Sequence, residues 1–139
     1  MSSVPRENPA RELFGDDVVF AYSRAQAIED GVLVDASTGP LAEVSRQHFR
    51  YPIAMTRAVW ELIHKAVNNP KYCNDYCGVW HDICWMARQN VTKRLDPTTH
   101  LFEVIITGVG RRRYHTLKIV CGPGDDAEPV LTVMLPEED

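Results

Sequence analysis

The stretch Tyr114-His115-Thr116-Leu117-Lys118-Ile119-Val120-Cys121 decides the fold class. His115, Leu117, Ile119 and Cys121 alternate with Tyr114, Thr116, Lys118 and Val120. A period of two sends successive side chains to opposite faces, so this is a strand with one buried face. Before it, residues 101–107 are rich in β-formers and Gly108-Val109-Gly110 supplies a turn. After it, Gly122-Pro123-Gly124-Asp125-Asp126 is a second turn, and a third strand over 130–135 ends at Pro136. Three strands joined by short loops predict an antiparallel meander.

Further upstream the period changes. Ala58, Val59, Leu62, Ile63 and Ala66 recur at three- and four-residue steps behind a capping Thr56, which predicts an amphipathic helix. The longest helix is expected from Asn74 or Asp75 to about Lys93, with Cys77, Trp80, Ile83, Cys84 and Ala87 as its apolar stripe. Ser23-Arg24-Ala25-Gln26 is a capping box for a short helix stopped by Gly31. Residues 42–48 have weak helical spacing. Val32-Leu33-Val34 is a brief strand, residues 51–55 are extended, and residues 18–22 form a short strand or extended run. The expected fold is therefore α+β, a helix-rich N-terminal two-thirds packed on a C-terminal three-stranded antiparallel meander. Residues 1–12 are expected to be a flexible tail and 13–139 one α+β domain, in line with a length of 139 residues.

Composition narrows the function classes. Apolar residues make up 45% and charged residues 24%, the balance of a globular chain and not of a disordered one. No apolar run approaches the roughly 18–20 residues that span a bilayer, so no membrane association is expected. The start Met1-Ser2-Ser3-Val4-Pro5 is polar and Pro-broken, unlike a signal peptide. The expectation is a cytoplasmic protein whose cysteines, Cys73, Cys77, Cys84 and Cys121, are reduced. Nineteen acidic residues face fifteen Lys and Arg, for a net charge of -4. Nucleic-acid binders usually carry a basic face, and here the basic cluster is Arg111-Arg112-Arg113.

Candidate chemistry is sparse. Cys73, Cys77, His81 and Cys84 share one helix face, but the outer two lie roughly 16 Å apart along the axis. One zinc ion cannot bridge that span. Cys77 and His81, one turn apart, supply two ligands at most, with Cys121 or His115 as the remaining donors, and cysteine as a small buried residue is the simpler account. No metal and no cofactor are expected. Asp125, Asp126 and Glu128 lack the spacing of a calcium loop. There is no Gly-x-Ser-x-Gly elbow and no phosphate-binding Walker loop, so no catalytic residue is assigned. Trp85 is offset by about 100° from Cys84 on the helix, which makes it either part of a second packing face or, if exposed, an interface anchor.

Two segments carry a resemblance. One runs Phe20-Ala21-Tyr22-Ser23-Arg24-Ala25-Gln26-Ala27-Ile28-Glu29-Asp30-Gly31-Val32-Leu33-Val34-Asp35, and the other Tyr51-Pro52-Ile53-Ala54-Met55-Thr56-Arg57-Ala58-Val59-Trp60. A third is Leu117-Lys118-Ile119-Val120-Cys121-Gly122-Pro123-Gly124-Asp125-Asp126, running on to Val133-Met134-Leu135-Pro136. Together they resemble an uncharacterised bacterial family of small proteins encoded largely on plasmids, phages and integrative elements. The resemblance brings no catalytic residue with it. It implies an accessory protein of a mobile genetic element.

The expected function is binding of a protein partner, with antagonism of a host defence system as its most concrete form. The expected contact residues are Arg111, Arg112, Arg113, Trp85, Asp125 and Asp126. One alternative is a small enzyme or ligand-binding domain with a pocket between sheet and helices, drawing on Arg57, His81, Cys84 and His115. A further alternative is nucleic-acid contact through Arg111, Arg112 and Arg113, which salt would weaken. Oligomeric state is left open, although an exposed sheet edge can dimerise by strand addition.

Overall fold

A computed structural model describes residues 22–139. The tail expected over 1–12 and the extended run over 18–21 lie outside the described residues.

The strongest local signals form where the periodicity places them. Ser23 caps the first helix, α1 (Arg24–Glu29), its hydroxyl accepting from the Gln26 amide at 3.0 Å. The three-residue β1 (Leu33–Asp35) follows, then a 3-10 turn and α2 (Ala42–His48). Next come β2 (Ile53–Thr56) and α3 (Arg57–Val67). Thr56 sits at the N-cap of α3 without a side-chain capping bond. Its hydroxyl instead donates to a Glu138 carboxylate oxygen at 2.7 Å. The longest helix, α4 (Tyr76–Gln89), is capped by Asp75, which accepts from the Gly78 amide at 3.1 Å.

The C-terminal part is four strands and not three: β3 (Val91–Asp96), β4 (Thr99–Ile105), β5 (Tyr114–Pro123) and β6 (Pro129–Met134). The expected continuation of the long helix to Lys93 is overturned. Asn90 ends it, and residues 91–96 turn back as a strand against β4. Thr98 closes that hairpin by donating to an Asp96 carboxylate oxygen from both its amide and its hydroxyl, each at 2.8 Å. These bonds hold the Asp96 carboxyl below its ordinary range.

The larger correction concerns the sheet. It has six strands in the order β1-β2-β6-β5-β4-β3, so a helix-rich N-terminal part packed on a three-stranded meander is not what forms. β2 runs parallel to β6, with Ala54 opposite Thr132, and β1 adds antiparallel to β2. The N-terminal strands thus extend the C-terminal meander sideways. All four residues of β2 are buried, as expected of a strand covered on both faces.

Register sorts the two faces. Ile53, Met55, Phe102, Val104, Leu117, Ile119, Leu131 and Val133 face one side and meet Val59, Ile63 and Ala66 of α3 and Val79, Trp80, Ile83, Cys84 and Ala87 of α4. α2 joins this layer at the side of α4. Trp80 is fully buried there, its Nε1 donating to Ser45 Oγ at 2.9 Å, and Ser45 donates on to the Ala36 carbonyl at 2.7 Å. The other face carries Thr132, Lys118 and Thr56. Arg24 of α1 reaches it, donating to Thr132 Oγ1 at 2.9 Å and to the Leu131 carbonyl at 2.7 Å. Partial burial lowers the Arg24 pKa against the raising influence of Asp35, Asp125 and Glu128. The chain end covers the neighbouring strip, where Lys118 donates to the Glu138 carbonyl.

Candidate functional site

The fold places the expected contact residues at three separate positions. Arg111, Arg112 and Arg113 lie in the loop between β4 and β5, and all three are exposed. Asp125 and Asp126 lie in the turn at the other end of the ten-residue β5, about 30 Å away at strand rise. Trp85 projects from the outer side of α4.

The arginine loop is mounted firmly at its base. Asn74 Nδ2 donates to the carbonyls of Thr107, at 2.9 Å, and Ala66, at 3.2 Å. Asn69 Nδ2 donates to the Gly108 carbonyl at 3.2 Å. The Ile106 amide donates to the Arg113 carbonyl at 2.9 Å, closing the loop. Gly108 and Gly110 both have positive φ, +94° and +68°, a region that costs other residues a Cβ clash. Among the described residues the ion pair is Arg57–Glu61, at 3.0 Å, and none of the three arginines forms one. Among the described residues the loop thus presents three unpaired cations, on a chain of net charge -4.

Beside this loop runs an open groove of about 890 Å³. Ala58, Leu62 and Leu135 supply its apolar surface, and His64 and Lys65 of α3 line it together with Gly108 and Gly110. His64 is positioned by Tyr76, whose hydroxyl lies 2.8 Å from His64 Nδ1, and Tyr76 stacks on Trp60 at 5.2 Å and 13°. Sequence reading singled out the arginines and missed Lys65 and the groove. The groove joins residues over forty positions apart, and no local pattern signals that.

Asp125 has a structural task. Its two carboxylate oxygens accept from the Arg24 amide at 2.8 Å and the Ala25 amide at 3.0 Å. It therefore ties the start of α1 to the β5–β6 turn and satisfies two amides that a helix start leaves unpaired. Asp126 remains exposed, its amide donating to Glu128 Oε1 at 2.9 Å.

Trp85 is 46% exposed. It stacks on His81 at 6.4 Å and meets His48 of α2 edge-on at 6.1 Å. His48 Nε2 lies 2.9 Å from His81 Nδ1, and Arg88 Nη1 lies 3.5 Å from His48 Nδ1. A guanidinium only donates. That assigns the neutral His48 proton to Nε2, which donates to His81. His81, Trp85 and Arg88 share one helical stripe at four- and three-residue steps, legible in the sequence. His48 arrives from another helix and was not.

Burial lowers the His48 pKa, and His81 and Arg88 lower it further. A histidine whose folded pKa is depressed binds fewer protons when folded than unfolded, so stability falls as pH drops from about 6.5. Chemical denaturation between pH 7 and pH 5 should show that decline, and His48→Gln should flatten it. An unchanged slope in the variant would remove the pair as its origin.

The set proposed for an enzyme does not converge. Arg57 is paired with Glu61, and Arg57 and His81 line two different hollows. Cys84 is fully buried, and burial pushes its thiol up to about 12, far from the thiolate a nucleophile needs. His115 lies on β5 with its Nε2 buried and unpaired among the described residues. Cys77 Sγ points to the Pro40 carbonyl at 3.7 Å. Among the described residues no three His, Cys, Asp or Glu side chains converge as for a metal ion. All four cysteines are free thiols, Cys73 exposed and Cys84 buried. Timed alkylation read by mass spectrometry should therefore modify Cys73 first and Cys84 only on unfolding. Early labelling of Cys84 would contradict the core packing.

No helix among the described residues is long and apolar enough to cross a membrane. No curated protein and no solved structure matches the chain. Residues 11–76, somewhat less than half of the chain, match the model described as Family of unknown function (DUF6573), which places that stretch with an uncharacterised family.

Proposed function

We propose that the protein acts by binding another protein, with the loop carrying Arg111, Arg112 and Arg113 as its principal contact. The observation that carries this reading is the loop itself. Three arginines stand exposed and unpaired among the described residues, on a base fixed by Asn69 and Asn74. Arginine forks carboxylates well, and a preorganised loop loses little entropy on binding. The resemblance noted above suggests the setting, an accessory protein of a mobile genetic element, and the partner in that setting is a host protein, with a defence component as the concrete case.

Affinity capture from bacterial lysate, with and without nuclease, tests this. The expected result is one stoichiometric protein that survives nuclease and is lost with Arg111→Glu/Arg112→Glu/Arg113→Glu. Recovery that disappears with nuclease, or a partner indifferent to the charge reversal, would overturn the reading.

A further inference from the structure

Resting on that reading of the arginine loop, we propose that the adjoining groove takes an acidic segment of the partner, with an aliphatic side chain seated on Leu62 and Leu135. The apolar surface of the groove, formed by Ala58, Leu62 and Leu135, suits one or two aliphatic side chains. Lys65 lines the groove, and so does Gly110, the residue directly before Arg111. The groove thus carries a cation of its own and adjoins the arginine loop. Glu61 is the acidic residue of the lining, and its carboxylate is held by Arg57 at 3.0 Å, which moderates its repulsion of an incoming carboxylate. At Gly110 a Cβ would meet nothing within 4 Å, so the rim leaves open space for a second backbone.

Charge and shape favour a polypeptide segment over a nucleic acid. Screening limits each surface charge to about 8–10 Å at physiological salt. A short acidic segment in the groove meets mainly the local cations. An extended polyanion also meets the remainder of a chain whose net charge is -4. The groove lining is aliphatic and polar and has no Trp, Tyr or Phe, whereas single strands are held largely by stacking on such rings.

The test is selection of short random peptides displayed on phage against the purified full chain, followed by binding of the synthetic winners. The expected winners place Asp and Glu around Leu, Ile or Val. Their affinity should fall about tenfold or more with Lys65→Glu/Arg112→Glu, and should weaken with added salt. Circular dichroism and thermal melts check that the variant is folded. Basic or uncharged winners, no enrichment, or affinity indifferent to the variant would overturn the proposal. So would a single-stranded DNA oligonucleotide that binds more tightly than the winners and displaces them.

Lys65→Glu alone separates this proposal from the broader one, because it leaves the arginine loop intact. A lysate partner lost on reversal of the three arginines yet retained with Lys65→Glu would overturn the groove and leave the loop as the contact. A partner lost with both supports the groove.

Discussion

Trp80→Ala is expected to lower the unfolding free energy by about 3–5 kcal/mol, the largest loss from any single change considered for this protein. Trp80 is fully buried between the sheet and α2, so truncation opens a cavity under three elements at once. It also removes the indole donor to Ser45, although Ser45 keeps its bond to the Ala36 carbonyl. Domains of this kind are stable by only about 5–15 kcal/mol in total, so the variant should sit near the edge of folding. Trp80→Phe keeps most of the volume, loses the N–H and should cost about 1–2 kcal/mol. Ser45→Ala strands both the Trp80 donor and the Ala36 carbonyl and should cost about 1–3 kcal/mol. Urea unfolding of the two variants and their double mutant should be non-additive, as for residues in one network. Strict additivity would show that the Trp80–Ser45–Ala36 chain does not act as a unit.

Gly108→Ala is the second large effect, expected at about 2 kcal/mol, of which the positive φ supplies about 1. A Cβ there would also meet the Ala66 carbonyl oxygen at 3.3 Å and Ala66 Cα at 3.4 Å. Both are backbone atoms of α3 and cannot rotate away. Gly110→Ala is the control. Its φ is also positive, but nothing lies within 4 Å of the added carbon, so its cost should stay near 1 kcal/mol. The comparison uses urea midpoints at unchanged m-value. Equal costs for the two would mean that the loop gives way at Gly108, contradicting the bracing by Asn69 and Asn74. Because Gly108 seats the arginine loop against α3, its replacement should also weaken partner capture under conditions where the chain remains folded.

Elements with a strong local signature were legible in the residues. The capping box at Ser23, the three-to-four spacing of α3 and the alternation of β5 each specify their own element without help from elsewhere. Two things were not legible. The brief strand over 32–34 and the extended run over 51–55 form as β1 and β2, but they are only three and four residues long, and nothing in them shows which strand they pair with. β3, with Lys93, Arg94 and Asp96 among its residues, is almost wholly exposed, so it has no apolar stripe and was absorbed into the preceding helix. The expected helix-rich N-terminal two-thirds on a three-stranded meander followed from losing β3 and from leaving β1 and β2 out of the sheet. Ile53 finds Leu131 and Ala54 finds Thr132 across more than seventy residues, and no window of sequence contains both.

The site divides in the same way. Local chemistry shows that residues 111–113 are cations in a glycine turn, that Trp85 lies off the core stripe and that Cys84 lies on it. Those features depend on neighbours within one or two turns of chain, where backbone geometry alone sets direction. Tertiary packing decides that Asp125 holds α1, that His48 meets His81, and that Lys65 lines one groove with the glycines that lead into the arginine loop. These depend on which surfaces the six-stranded sheet brings together, a choice made by burial of apolar area between distant segments.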